Sequence, residues 1–494
     1  MIKSQLKLLQ NEKLPSRKEL NSNQHWLILY SSSEKTKRLA YYDLLNDRRK
    51  QLGRKKYDSE PVEIDLPNSV RSHTVYACVD EKISAFDLLT LCRKLVGIQK
   101  NYKVRKLGVI LAGFDIAQSE RLAEAVVAAA AATAAVMPNY KSKSKQKAGL
   151  SRLELFGLKI DHNFKRTLAE AEGNALARYL SILPPNELTP GNYLTRIRGL
   201  AKENKWKLEF YDQKNLTKKK AGAFLAVVQG SHEEDAGIVR LQYKPGNEKS
   251  RNTVCLVGKG ICYDTGGNNL KPAKYMYGMH EDMQGSAVAL GTFLALSKMQ
   301  VDFPVECWLA LAMNHIGPKA YKPNDVITAS DGTTIEIVHT DAEGRMVLAD
   351  TLALASMSKP KLIIDYATLT GACVYSLGSS YSGVFTNRED LHADLIQVGK
   401  DSGERVWPFP LDEDYDKGLE SDIADVKQCA LEGDADHILA ARFLQRFVKN
   451  KCNWVHMDLA SSNHKGGLAH IPTDTAGFGV RYSVSLLIDK ELKL

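Results

Sequence analysis

Read for apolar runs and their spacing, the chain changes character along its length. Over residues 1 to about 160, short strand-like runs at His25–Tyr30, Val75–Val79 and Lys106–Ala112 mix with helical stretches. Arg121 to Val136 is rich in alanine, the strongest helix former, and predicts a long helix. The polar run Tyr140 to Lys147 reads as a surface connection. Phe164 to Leu183 predicts a further helix, stopped by Pro184-Pro185, which cannot continue it. Beyond it, apolar runs at Val254–Tyr263, Cys307–Met313, Leu362–Leu369 and Trp454–Leu459 predict buried strands. Helical patterns lie between them, at Ser286–Met299, Arg345–Met357 and His437–Val448. Alternating strands and helices predict an α/β domain with a largely parallel sheet, whose sites form at the carboxyl ends of the strands. The boundary between an N-terminal domain, 1–160, and a larger second domain, 161–494, is placed near residue 160. A chain of 494 residues exceeds what one core usually serves, which agrees with two domains.

Composition narrows the class. Hydrophobic residues are 44% and charged residues 25% of the chain, an ordinary globular balance. The eight cysteines are scattered, with no CxxC pair, and several stand in apolar runs. This argues against a disulfide framework and for a reducing compartment. The first twenty residues lack the apolar core of a secretory signal, and Leu122 to Met137 is too short and too weakly apolar to span a bilayer. A cytoplasmic protein without a membrane segment is expected. The net charge of +9 lies partly in local runs, Lys141, Lys143, Lys145 and Lys147, then Lys218, Lys219 and Lys220. Such runs read as solvated loops or as a weak polyanion-binding surface.

Polar residues gather where strands should end. Val257 to Gly267 carries Lys259 and Asp264 in or just after an apolar strand, with Lys271 following; buried charge of this kind needs a partner or a metal. The glycines at 258, 260, 266 and 267 allow close approach of backbone to a ligand, although the phosphate-loop pattern GxxxxGK[ST] is absent. Met279 to Ser286 places Glu281 and Asp282 just before a helix, where Asp282 could simply cap it. Asp341 and Glu343 are two apart, a spacing that in extended chain turns both carboxylates to one side, with Arg345 nearby to compensate. Ala367 to Ala372 offers hydroxyls and free backbone at a strand end. Together these segments supply Lys259, Asp264, Asp282, Asp341 and Glu343. A carboxylate-rich set suits two hard or borderline divalent ions that activate water and polarise a carbonyl, the needs of amide hydrolysis. A lysine ligates only as the neutral amine, so the pKa of Lys259 would have to be driven down.

These runs resemble a known family. VGKGICYDTGGNNLKPA (Val257 to Ala273) and HTDAEGR (His339 to Arg345) are similar to signatures of the leucine aminopeptidase (cytosol aminopeptidase) family. Further matches are PNELTP (Pro185–Pro190), TLTGAC (Thr368–Cys373), SDIADVK (Ser421–Lys427) and AGFGVR (Ala476–Arg481), so the similarity runs from about residue 165 to the end. The resemblance implies a smaller N-terminal α/β domain and a larger C-terminal α/β catalytic domain, with a mixed, largely parallel central sheet flanked by helices. It implies a peptidase that removes N-terminal residues from peptides and assembles as a homohexamer. Lys259, Asp264, Asp282, Asp341 and Glu343 would bind two divalent ions per subunit, zinc or manganese, with Asp264 and Glu343 bridging them. Lys271 would polarise the scissile carbonyl and stabilise the oxyanion. Arg345 would hold a bicarbonate acting as general base. Met279, Thr368, Gly371 and Ala460 would line the pocket for the first side chain.

The chain departs from the family pattern at His339, where asparagine is usual, at Asn314-His315-Ile316-Gly317, and over Ser461–Thr475, which carries His464 and His470. These departures put the leucine preference in doubt and leave the chemistry standing. The competing reading is a DNA-binding regulator that uses a basic surface of the same fold, although no helix-turn-helix or zinc finger is evident.

Overall fold

The computed structural model describes residues 6–32, 41–55, 58, 60–102, 104–143, 149–246 and 252–490. Lys145 and Lys147 lie outside the described residues. The described chain forms two compact units, Met1–Ala171 with Lys465–Asp474, and Glu172–His464 with Thr475–Leu494. The first boundary falls inside the helix Lys165–Ile182.

The first unit is built on six strands: β1 (Lys7–Asn11), β2 (His25–Tyr30), β3 (Val62–Asp65), β4 (His73–Cys78), β5 (Lys106–Ala112) and β6 (Arg152–Phe156). Their order is β1-β6-β5-β2-β4-β3, parallel except for the antiparallel β3–β4 pair. Both faces of the central strands are covered, which is why β2, β4 and β5 are buried along almost their whole length rather than at alternate positions. Along β2, Leu27 and Leu29 enter a core with the helices α1 (Ala85–Asn101) and α2 (Ile116–Ala134), while Trp26, Ile28 and Tyr30 enter the opposite one with Tyr76 and Phe156. The alanine run supplies the predicted helix, and its small side chains pack almost flush, Ala123 and Ala128 to Ala130 being buried. Ala469, from the returning segment, joins the same core, and Arg93 donates to the Ile471 carbonyl at 3.1 Å.

The second unit holds the strands β7 (Lys207–Asp212), β8 (Gly237–Tyr243), β9 (Val254–Asp264), β10 (Val305–Asn314), β11 (Val326–Thr328), β12 (Thr334–Glu336), β13 (Leu362–Ala367), β14 (Ser382–Thr386), β15 (Val406–Pro408), β16 (Val426–Lys427) and β17 (Asn453–Asp458). Its main sheet has the order β15-β14-β17-β13-β9-β10-β8-β7. The centre, β17-β13-β9-β10, is parallel, and antiparallel pairs flank it, β14 against β17 on one side and β8 against β10 on the other. The sheet is therefore mixed and largely parallel at its core, as expected. The central strands are the four apolar runs identified from the sequence. β11, β12 and β16 form a small separate sheet.

Helices cover this sheet: α3 (Gln284–Met299), α4 (Glu343–Ser356), α5 (Gly371–Leu377), α6 (Asp436–Gln445) and α7 (Val480–Ile488). The glycines of β9 serve this packing rather than a ligand. A Cβ on Gly258 would come within 2.5 Å of the Ser286 Cα, and one on Gly285 within 2.1 Å of the Tyr366 carbonyl oxygen. The first turn of α3 thus lies directly against the backbone of β9 and β13. Gly266 and Gly267, with φ of 87° and 63°, make the turn that leaves β9.

Because the atoms facing Gly285 are backbone, Gly285→Ala must push α3 off the sheet. Over-packing of this kind costs about 1–3 kcal/mol. A lowered melting temperature in scanning calorimetry is the expected outcome; an unchanged one would show that α3 can move freely.

Candidate active site

The polar groups singled out from the sequence converge at the carboxyl ends of the parallel strands. Asp264 is the last residue of β9 and Asn314 the last of β10; Thr368 follows β13, and Asp458 ends β17. Lys259 stands within β9, opposite Ala310 of β10, and is 3% exposed. Its Nζ lies 2.9 Å from Asp282 Oδ1 and 3.0 Å from Glu343 Oε1, and donates to the Thr368 carbonyl at 2.9 Å. Lys271 Nζ lies 2.8 Å from Asp264 Oδ2 and 2.5 Å from Asp341 Oδ1. Carboxylate oxygens of Asp264, Asp341 and Glu343 lie within 4.8 Å of one another.

Two local expectations are corrected by this geometry. Asp282 does not cap α3: that helix has Met283 at its N-cap position without a side-chain bond, and Asp282 instead accepts from Thr368 Oγ1 at 2.8 Å and faces Lys259. Asp341 and Glu343 do not share an extended strand. Asp341 sits in a turn and Glu343 is the first residue of α4, so helix entry, not strand alternation, brings the carboxylates together. Gly344 completes that entry, since a Cβ there would fall 2.5 Å from Lys259 Nζ.

The supporting residues are less visible in sequence. Thr340, fully buried, donates its hydroxyl to the Gly266 carbonyl at 2.6 Å and accepts from Asn269 N at 2.8 Å, stapling the loop after β9 to the loop before α4. Asn314 donates to Asp264 Oδ1 at 2.8 Å and to the Thr340 carbonyl at 3.0 Å. Gln428 donates to the Ala342 carbonyl at 2.9 Å. Thr340 and Gln428 stand in loops and give no signal in sequence, and Asn314, at the end of β10, stands out there only as part of a departure from the family pattern. His339, half-buried, accepts from Asp341 N at 3.3 Å, and burial, with Lys271 adding to it, lowers its pKa.

Electrostatics dominate the cluster. Burial pushes the Asp282 carboxyl up to about 8, with Glu343 and Asp264 adding to the effect against the pull of Lys259. Burial and Asp264 push Asp341 up to about 6, and burial and Asp264 raise Glu343 as well. Burial disfavours charge on Lys259 and Lys271, yet the surrounding carboxylates hold both above the ordinary lysine range. With lysine ammonium groups as the cations of the cluster, Lys259 stays protonated. Lowering its pKa, as ligation through nitrogen requires, needs further positive charge beside it.

The residues fit such charge. Asp282 Oδ2 is buried with no hydrogen-bond partner among the described residues. The donor set is carboxylate oxygen plus one amine, suited to hard and borderline divalent ions. Lys259, Asp264, Asp282, Asp341 and Glu343 are placed to hold them, with Lys271 at the edge of the same cluster. Arg345, also expected here, lies in the first turn of α4 and is 2% exposed; Asp436 holds its guanidinium. Among the pocket residues, Thr368 joins the cluster through Asp282. Met279 opens a short helical turn after the Lys271 loop, Gly371 begins α5 beyond β13, and Ala460, buried, follows β17.

A mixed α/β unit with buried carboxylates and lysines at its strand ends is suited to hold divalent ions. Residues 175–484 match the family model for the cytosol aminopeptidase family, catalytic domain. The chain is 41% identical over 334 residues to a probable cytosol aminopeptidase of Wolbachia pipientis, covering 67% of this chain and 66% of that protein. It is 34% identical over 446 residues to a probable cytosol aminopeptidase of Rickettsia bellii, covering 87% of each. Among solved structures it is similar to a mutant tomato leucine aminopeptidase, with a TM-score of 0.84 and 25% identity over 98% of this chain and 97% of that one. It is also similar to the bottromycin maturation enzyme BotP in complex with manganese, with a TM-score of 0.80 and 28% identity over 94% and 99%. The chain belongs to the cytosol aminopeptidase family, a class of metal-dependent aminopeptidases.

Manganese chloride added to chelator-treated protein is expected to raise the melting temperature, by an amount equivalent to about 2.7 kcal/mol when free metal is 100-fold above its Kd. Glu343→Gln should reduce that gain. A melting temperature insensitive to divalent ions would rule out the cluster as a metal centre.

Proposed function

We propose that the chain releases the first residue of peptides at this cluster, with Lys259, Asp264, Asp282, Asp341 and Glu343 holding two divalent ions, zinc or manganese. The observation that carries the reading is the buried carboxylate cluster, with excess negative charge and an unbonded Asp282 oxygen, at the strand ends of an aminopeptidase-family domain. BotP, similar in fold, is described in complex with manganese. The ions, when bound, supply an activated water and a polarised scissile carbonyl.

The protein's own groups do the rest. Lys271, protonated and held by Asp264 and Asp341, would stabilise negative charge developing on the scissile carbonyl oxygen. Thr368 fixes Asp282 through its hydroxyl and Lys259 through its carbonyl, so the pocket wall and the cluster share one residue. Met279, Thr368, Gly371 and Ala460 would surround the side chain of the residue released. Gly371 leaves space at the start of α5, where a Cβ would meet only Tyr375, at 3.8 Å. Arg345 would hold a bicarbonate acting as general base beside the same cluster.

The eight cysteines are buried and free, and the relatives are named cytosol aminopeptidases, which supports a cytoplasmic setting. Among the described residues, no helix is long and apolar enough to cross a membrane. A homohexamer is proposed on the family resemblance; light scattering would give its mass.

Hydrolysis of a panel of aminoacyl-p-nitroanilides is expected to stop on chelation and return with manganese or zinc. Lys271→Met should lower kcat by about 10²–10³-fold, the usual effect of removing one oxyanion donor. A folded, metal-loaded protein that turns over no substrate in the panel would sink the peptidase reading; salt-dependent binding to duplex DNA would then favour the alternative.

A further inference from the structure

Thr368, Gly371 and Ala460, three of the four residues proposed to line the pocket, hang from one buried carboxylate outside the charged cluster. Asp458 ends β17 and is 1% exposed. Its Oδ1 accepts from Leu369 N at 3.1 Å and from Thr370 N at 3.4 Å, and its Oδ2 accepts from Thr370 Oγ1 at 2.6 Å. These donors belong to the turn that leaves β13 and enters α5, with Thr368 before them and Gly371 after. The Asp458 carbonyl accepts from Ala460 N at 2.9 Å, and Leu459 N donates to the Ala367 carbonyl at 2.8 Å, so backbone joins the two strand ends as well.

The place calls for a carboxylate. A chain that turns at the end of a buried strand presents N–H groups with no ladder partner, and each is costly to leave unbonded. A carboxylate offers two oxygens that only accept. Here one oxygen takes both N–H groups and leaves the other for the hydroxyl. Thr370 Oγ1 passes the constraint on by accepting from Cys373 N at 3.1 Å, in the first turn of α5. On the other side of the turn, Thr368 donates its hydroxyl to Asp282, and its carbonyl accepts from Lys259. One short segment therefore connects Asp458 both to the pocket wall and to two residues of the cluster. Thr340 and Asn314 hold the loops after β9 and before α4; Asp458 does the same for the turn after β13.

We propose that Asp458 is a positioning residue: by holding the turn 368–371 it sets the shape of the pocket for the first side chain and fixes Lys259 and Asp282 for metal binding. The inference rests on the aminopeptidase reading.

The test compares full-chain wild type, Asp458→Ala and Asp458→Asn on two readouts. One is manganese affinity, from calorimetric titration of chelator-treated protein with manganese chloride. The other is the spread of kcat/KM across leucyl-, methionyl- and alanyl-p-nitroanilide for the manganese-loaded proteins. Asp458→Ala should bind manganese about 10–100-fold more weakly, the usual cost of losing a group that orients a metal ligand. Its spread across the panel should narrow by about 10-fold, the low end of what one methylene is worth in a fitted apolar pocket. Asp458→Asn keeps an oxygen for the two N–H groups and gains an amide that can donate to Thr370 Oγ1, so it should stay near wild type in both. A folded Asp458→Ala protein with wild-type manganese affinity, or with kcat/KM lowered uniformly and the spread intact, would overturn the proposal. So would an Asp458→Asn protein as impaired as the alanine variant, because the effect would then belong to the charge. If Asp458→Ala does not fold, Thr370→Val against Thr370→Ser makes the same comparison: only Thr370→Val should shift both readouts, and a Thr370→Val protein that shifts neither overturns the proposal. If the wild type turns over no substrate, the aminopeptidase reading fails, while manganese affinity still decides whether Asp458 fixes the cluster.

Discussion

Four acidic side chains, Asp264, Asp282, Asp341 and Glu343, crowd the carboxyl ends of a parallel sheet, three of them almost wholly buried. At the 4.8 Å limit that bounds the three clustered carboxylates, two unit charges repel by about 3.5 kcal/mol at an effective dielectric of 20. Moving each ion out of water costs several kcal/mol more. Lys259 and Lys271 offset part of this and leave an excess of negative charge. The cluster is therefore unfavourable by itself, and its raised carboxyl pKa values are the same statement in protons. A divalent cation removes the penalty, so cation affinity and the mutual repulsion of the carboxylates have one origin.

Holding such a cluster requires walls that do not give. The parallel centre of the sheet presents four strand ends side by side, and the helices are pressed against it at glycines. Gly285 lets α3 touch β13, Gly258 lets it touch β9, and Gly344 leaves room for the Lys259 stem. Thr340 and Asn314 then tie the loops together with short bonds, and Asn314 fixes Asp264 directly while Thr368 fixes Asp282. The energy that stabilises the apolar sheet is thereby transmitted to the polar site.

The strands that carry this site were legible because burial on both faces writes a continuous apolar run, as along β9 and β13, and a lysine inside such a run, Lys259, stands out. The helices were legible from composition, α2 above all. The segment Lys465–Asp474 was not: nothing in its polar sequence shows that Ala469 enters a core formed by residues far away in the chain. Near the centre, the candidate residues came from charge in improbable places, and their gathering at one end of the sheet follows from the α/β pattern. What escaped were directions. Sequence spacing suggested an extended chain for Asp341 and Glu343, where a turn into α4 does the same work, and a helix cap for Asp282, where Met283 occupies that position. Spacing alone does not distinguish these, because each satisfies the same local rule.

Arg345 and Asp436 carry the same reasoning a step further. The cluster collects excess negative charge that awaits a cation, whereas a few residues along α4 a buried cation already has its anion. The two imbalances are handled differently because their partners differ in kind. A divalent ion carries more charge than any side chain and coordinates several oxygens at once, so the protein leaves that role to a ligand. A single carboxylate pairs with one guanidinium and leaves it further N–H donors, and a helix start can present it without any loss of translational freedom on binding.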